Sequence, residues 1–229
     1  MDYIKEKLYQ QLAIDYCCQI SDIKDDKNHF MKVLVTGFDP FGGESVNPAY
    51  EAVKLLPDII EGAQIIKLEI PTVFKKSIEI VKEAVEKDQP DVVINVGQAG
   101  GRACVTVEKV AINLADAGIP DNAGDSPEDE SLEKDGPDAY FSTLPVKAMV
   151  ENVRAHGLPC SVSYSAGTYV CNSVMYRVLH LAARNMKAGF IHVPYSSEQV
   201  ANKDRPLASM PIEIIAKSLE HAIEAVVKE

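Results

Sequence analysis

No stretch of this 229-residue sequence approaches the roughly 18 consecutive apolar residues that a membrane-spanning helix requires. Nor does it open on a charged segment followed by a short apolar run and a cleavage site, so no membrane span and no signal peptide are expected. A cytoplasmic location is the resulting expectation. Basic charge is also short: 23 Lys and Arg stand against 34 Asp and Glu, a net charge of -11, with no basic cluster. Nucleic acid and anionic membrane both need a basic footprint, so neither is expected as a partner. The five cysteines (Cys17, Cys18, Cys104, Cys160 and Cys171) are an odd number without C-x-x-C spacing. They support neither a disulfide framework nor a zinc site, and reduced thiols are the simpler reading. The five histidines (His29, His156, His180, His192 and His221) are scattered and include no H-E-x-x-H. No metal and no cofactor are therefore expected. The glycine-rich turns GFDPFGG (37–43) and GQAGG (97–101) lack G-x-G-x-x-G and the Lys-Ser/Thr ending of a phosphate loop. A nucleotide-binding module is accordingly a weak alternative.

What is present is the composition of an ordinary globular chain, 46% hydrophobic and 25% charged, long enough for one substantial core. Residues 1–30 stand apart. Ile4, Leu8, Leu12 and Tyr16 recur at a spacing that suits a short amphipathic helix, and a charged linker follows at 21–28, so this segment reads as an appended arm. The core domain, 31–229, begins with a strand buried on both faces (KVLVT). Asn47 and Pro48 then cap and open a helix through Leu56. A strand is expected at 63–70, a helix from Thr72 carrying Phe74, Ile78, Val81 and Val85 on one face, and a strand at 91–96. Residues 104–114 read as extended. From Ala115 to Tyr140 nine acidic residues and one lysine, with several Pro and Gly, describe a long surface loop that is functional or mobile. A helix from Pro145 to Gly157 and a short strand at 189–193 follow, and a last helix has Ser209 as its cap and Pro211 at its start. Strands alternating with helices predict an α/β fold: a three-layer α/β/α sandwich with a twisted, mostly parallel central sheet and the site at the strand ends.

The most informative stretch is SYSAGTYVCN (163–172), a strand, a small-residue turn and a cysteine in the first turn of a helix. The helix is supported by Val174, Met175, Val178, Leu179 and Ala182 at three- and four-residue spacing. A helix start offers unpaired N–H groups and the positive end of the macrodipole, which lowers a thiol pKa toward neutrality and favours a nucleophile. On its own, Cys171 reads more readily as a small core hydrophobe. Likewise, His192 reads as a satisfied core histidine, Glu108 as a solvated strand residue, and Phe38 and Phe41 as core aromatics.

Three stretches taken together resolve these alternatives. GQAGGRACVTVEKVAIN (97–113), the Cys171 stretch and GFIHVPY (189–195), with VLVTGFDPFGG and IPDN in the expected order, resemble the pyroglutamyl peptidase I (pyrrolidone-carboxylate peptidase) family of cysteine exopeptidases. The resemblance is collinear from Met31 to the last helix. It implies hydrolysis of the bond after an N-terminal pyroglutamyl residue of peptides through a thioester. Cys171 would be the nucleophile, His192 the general acid and base, and Glu108 the group that orients the imidazole. It also implies a substrate pocket of Phe38 and Phe41, with Gln98 through its backbone, Tyr169 and Val170 around the lactam, and a homotetrameric assembly. Two departures are visible: Gly118 stands just before IPDN, where the family usually has arginine, and the segment between Cys171 and His192 is a few residues shorter than in many members.

Overall fold

The computed structural model describes residues 30–182, 186–201 and 203–229. The amphipathic helix expected near the N-terminus lies outside the described residues. Contacts divide the chain at Phe30, and residues 31–229 form one unit.

Seven strands build one sheet in the order β2-β3-β1-β4-β9-β5-β8. In chain order these are β1 (Lys32–Phe38), β2 (Ile59–Ile60), β3 (Ala63–Ile70), β4 (Val92–Gln98), β5 (Val105–Glu108), β8 (Cys160–Ser163) and β9 (Lys187–Val193); β6 (Val110–Ile112) and β7 (Ala139–Phe141) form a separate antiparallel pair. β3, β1, β4 and β9 run parallel. β5 turns antiparallel to β9 but parallel to β8, and β2 is antiparallel to β3. The sheet is thus mostly parallel, as expected.

The inner strands are apolar on both faces, and their alternation assigns each residue to a layer. Val33, Val35, Val92, Ile94, Val96, Ile191 and Val193 face the helices Pro48–Lys54, Val146–Ala155 and Ile212–Val227. Leu34, Phe38, Val93, Ala188 and Phe190 face the helices Lys76–Asp88 and Val170–Ala182. By the same parity Asn95, Gly97, Thr106, Glu108 and His192 lie on the second face. That face carries buried polar groups: Thr36 Oγ1 donates to Asn95 Oδ1 at 2.9 Å.

Local expectations hold for most elements and fail at some boundaries. Asn47 caps its helix, its side chain accepting from the Ala49 N–H at 3.1 Å, with Pro48 first in the helix. The helix expected from Thr72 starts at Lys76, because Phe74 N–H is taken by Asp121 Oδ2 at 2.9 Å and the chain is held in a loop. Ser209 does not cap the last helix. It pairs instead in a two-residue strand, Ser209–Met210 (β11), with Tyr195–Ser196 (β10), and Pro211 precedes the helix without a side-chain cap. The acidic loop is anchored throughout. Arg177 donates to Glu133 Oε1 at 3.1 Å and to the Leu132 carbonyl at 3.0 Å, Tyr176 OH donates to the Pro137 carbonyl at 2.7 Å, and Ala115 bridges Glu130. The bonds from Arg177 and Tyr176 come from the helix carrying Cys171, which no local pattern ties to the loop.

Candidate active site

Sheet register builds one side of the site. Gly97 of β4 pairs with His192 of β9, and His192 pairs with Thr106 of β5. Glu108, two residues beyond Thr106, falls on the same face, and its Oε1 accepts a hydrogen bond from His192 Nδ1 at 2.7 Å. Both side chains are buried. The helix Val170–Ala182 supplies the other side, with Cys171 its second residue. The helix start is fastened by Asn172, a buried side chain to which the sequence assigned no role. Its amide accepts from Ile112 N–H at 2.9 Å and donates to the Ile112 and Leu114 carbonyls, each at 2.9 Å. A Cβ added at Gly97 would stand 2.8 Å from Cys171 Sγ and 2.8 Å from Phe190 Cζ. Only glycine lets the thiol lie this close to β4.

Cys171 and His192 open into one cavity of about 460 Å³, lined also by Phe38, Phe41, Tyr169, Gln98 and Arg102. Phe41 packs on Tyr169 with ring centroids 6.3 Å apart, and Phe74 meets Tyr169 edge-on at 5.4 Å. The IPDN turn closes this wall. Tyr169 OH donates to the Pro120 carbonyl at 3.1 Å, while Asn122 Nδ2 reaches the Pro40 carbonyl at 2.9 Å and Asp39 Oδ1 at 3.2 Å. The Gln98 side chain is turned toward Gln199, whose Nε2 donates to Gln98 Oε1 at 3.0 Å and to the Val46 carbonyl at 3.0 Å. Val170 differs from the other pocket candidates: its side chain is fully buried in the core beneath the helix and does not line the cavity. Gly118 has open space around its Cβ direction, so the arginine expected there has room in this chain.

Arg102 is the residue that sequence reasoning missed, although it sits inside the glycine-rich motif. Its Nη1 donates to Glu108 Oε1 at 2.6 Å and contacts Thr106 Oγ1, and Nη2 donates to the Ser165 carbonyl at 3.2 Å. Glu108 thus shares one oxygen between a guanidinium and the imidazole. The signal was a lone arginine six residues before the carboxylate, which only the turn into β5 brings back onto it.

The charge states follow from these contacts. Burial disfavours an ionised Glu108, but the hydrogen bond and charge of His192, with Ser163 and Arg102, outweigh it and hold the carboxyl below its usual range. An ionised carboxylate only accepts, so His192 carries its proton on Nδ1 and presents a lone pair on Nε2. Burial lowers the His192 pKa below the usual value despite Glu108. Burial and the nearby Glu108 charge push the Cys171 thiol up to about 12, against the opposing pull of Arg102 and of the residue's own backbone N–H. This overturns the expectation of a thiol lowered toward neutrality. The dipole at the helix start is present, but desolvation is the larger effect. Cys160 is buried, its thiol also pushed up to about 12, and Cys104 contacts Ser161 Oγ at 3.5 Å; neither lines the cavity.

Known proteins are similar to this chain over most of its length. The family model for pyroglutamyl peptidase matches residues 31–229. A pyrrolidone-carboxylate peptidase of Finegoldia magna is 58% identical over 200 residues, covering 86% of this chain and 93% of its own length. One from Clostridium perfringens is 60% identical over 200 residues, with the same coverage, 86% and 93%. Among solved structures, pyroglutamyl peptidase I from Bacillus amyloliquefaciens superposes with a TM-score of 0.84 at 46% identity, covering 88% of this chain and 97% of that one. The pyrrolidone carboxyl peptidase of Thermococcus litoralis gives 0.84 at 42% identity, covering 87% and 94%. With a family match over residues 31–229, identities of up to 60% to these relatives and a fold in common with the solved structures, the chain belongs to the pyroglutamyl peptidase family.

Proposed function

We propose that the chain is a cysteine exopeptidase that removes an N-terminal pyroglutamyl residue from peptides, with Cys171 as nucleophile, His192 as general base and acid, and Glu108 as the orienting carboxylate. The observation that carries this reading is the buried 2.7 Å hydrogen bond between His192 Nδ1 and Glu108, made in the cavity wall that also holds Cys171. Cys171 Sγ attacks the pyroglutamyl carbonyl carbon as its proton passes to His192 Nε2. The negative oxygen that forms is placed near the N–H groups of the helix start, with the backbone N–H of Cys171 as first donor. Collapse breaks the C–N bond, the imidazolium protonates the departing amine, and a thioester remains. A water molecule, deprotonated by His192, attacks the thioester carbon; pyroglutamate leaves and the thiol regains its proton.

Specificity has a physical basis in the cavity. Phe38, Phe41 and Tyr169 offer an apolar wall to an uncharged five-membered lactam, the backbone of Gln98 a polar partner, and Val170 its main chain only. Among the described residues no carboxylate lines the cavity, while the Arg102 guanidinium does. A free α-ammonium therefore meets no carboxylate counter-ion in the lining. Unpaired polar groups cost on the order of 1–3 kcal/mol each, so a pyroglutamyl amide reporter is expected to exceed prolyl and glutaminyl analogues in kcat/KM by at least ~100-fold. Comparable cleavage of all three would remove the pocket argument. No cleavage of any, by reduced protein, would remove the peptidase reading. A homotetramer in the cytoplasm completes the proposal. It is supported by the family resemblance and by two large exposed side chains, Phe141 at the end of β7 and Tyr164 just after the outer strand β8, and sedimentation equilibrium tests the assembly.

A further inference from the structure

On the face of the sheet opposite the helix of Cys171, the helices Val146–Ala155 and Ile212–Val227 pack together and bring two distant histidines into contact. His156, which ends the first helix, stacks on His221 of the second with ring centroids 3.7 Å apart and planes 7° from parallel. Glu224, one turn beyond His221, places Oε2 3.1 Å from His221 Nδ1. One nitrogen from each ring and one carboxylate oxygen lie within 4.8 Å of one another. None of the three lines the active-site cavity.

We propose that His156, His221 and Glu224 form a binding site for a divalent ion of the zinc type that ties these two helices together. Two imidazoles and one carboxylate match the borderline-soft preference of zinc, whereas magnesium and calcium call for an all-oxygen shell. The 3.1 Å between His221 Nδ1 and Glu224 Oε2 is already close to the separation of two ligands on one tetrahedral ion, about 3.3 Å for metal–ligand bonds near 2.0–2.1 Å. The surroundings prepare the third ligand. His156 Nδ1 donates to the Asn152 carbonyl at 2.8 Å, which leaves the lone pair of the neutral ring on Nε2. Asn152 also holds the second helix, its Nδ2 donating to the His221 carbonyl at 2.7 Å and to Glu224 Oε2 at 3.2 Å. Stacked rings aim their lone pairs alongside one another, so one ring must turn toward a shared ion. His156, exposed at its helix end, has the room. The ion replaces the proton between His221 and Glu224, and a water completes the fourth position.

The test uses Zn²⁺ alone as the probe, on full-length protein whose Cys171 has first been alkylated with iodoacetamide so that the thiol cannot ligate. Titration calorimetry is expected to show one bound ion, with Kd raised at least tenfold in His156→Gln and in His221→Gln. In the unsubstituted chain, the ring NMR signals of His156 and His221 are expected to move together on addition of Zn²⁺, while His180 stays in place. Zinc that leaves both ring signals unmoved, or binding that persists unchanged in the two variants, overturns the proposal.

Discussion

At the scale of single residues the site turns on how burial and charge are balanced. Glu108 raises the thiol pKa of Cys171 while Arg102 lowers it, and Arg102 also lowers the pKa of His192. Arg102→Gln is therefore expected to shift the acid limb of the kcat/KM profile to higher pH, because the imidazole becomes easier to protonate, and to reduce the plateau. An unmoved limb would mean that Arg102 serves only the fold. In the unsubstituted chain that limb is expected below the ordinary histidine value of 6.5, since the base must be neutral and burial delays its protonation. Cys171→Ala is expected to abolish turnover, and Cys104→Ala and Cys160→Ala to retain it, as neither of these thiols reaches the cavity. Glu108→Gln is expected to cost less than His192→Ala, because an amide oxygen still accepts the Nδ1 proton although it no longer stabilises an imidazolium. Equal losses would give Glu108 a role beyond orientation.

At the scale of elements, the start of the helix Val170–Ala182 is positioned from below by β4 and from the side by β6. Gly97→Ala would put a methyl group 2.8 Å from Cys171 Sγ and from the Phe190 ring, forcing the thiol or the strand to move. Activity is expected to fall more than stability, with overpacking costing about 1–3 kcal/mol by denaturant titration. Full activity would show that the helix start yields without harm. Asn172→Ala removes three hydrogen bonds and leaves the Ile112 N–H without its partner, so a loss of about 2–3 kcal/mol is expected. Legibility differed among the elements for physical reasons. The helix of Cys171 was readable because its apolar residues keep a 3.6-residue period, and β1, β4 and β9 because strands buried on both faces are continuous apolar runs. Ser209 was misread because a serine two residues before a proline at a helix start looks like a cap, and only the pairing of β10 with β11 claims it for a strand.

At the scale of the whole molecule, acid stability follows from the same buried groups. The folded pKa of His192 is depressed, so as pH falls the unfolded chain takes up that proton first. Stability contributed by the neutral ring is present above about 6.5 and lost as pH drops from there through the folded value. Glu108, also depressed, adds stability above its ordinary 4.5 that is lost lower still. Midpoint urea concentrations measured from pH 8 to pH 4 are expected to fall less steeply in His192→Gln than in the unsubstituted chain. The family model and the unit containing the site both begin at Met31. A chain starting there is expected to keep its kcat on the pyroglutamyl reporter, and loss of kcat at unchanged oligomeric state would assign residues 1–30 to the site.

The sequence by itself determined the layered α/β class, the succession of buried strands and amphipathic helices, and the cysteine at a helix start, because periodicity and turn chemistry are local properties of the chain. Motif order added His192 and Glu108 as candidates. Only the tertiary structure decided what those residues meet. Glu108 and His192 lie 84 positions apart and join through the pairing of β5 with β9, which no local pattern encodes. Tertiary packing likewise sank the Val170 side chain into the core and pinned the acidic loop to the helix of Cys171, while the turn into β5 brought Arg102 onto Glu108. It also set the charge state of the nucleophile: a helix start seen in sequence promises a lowered thiol pKa, but desolvation depends on everything packed around the sulfur, and that is fixed only when the sheet and its helices close together.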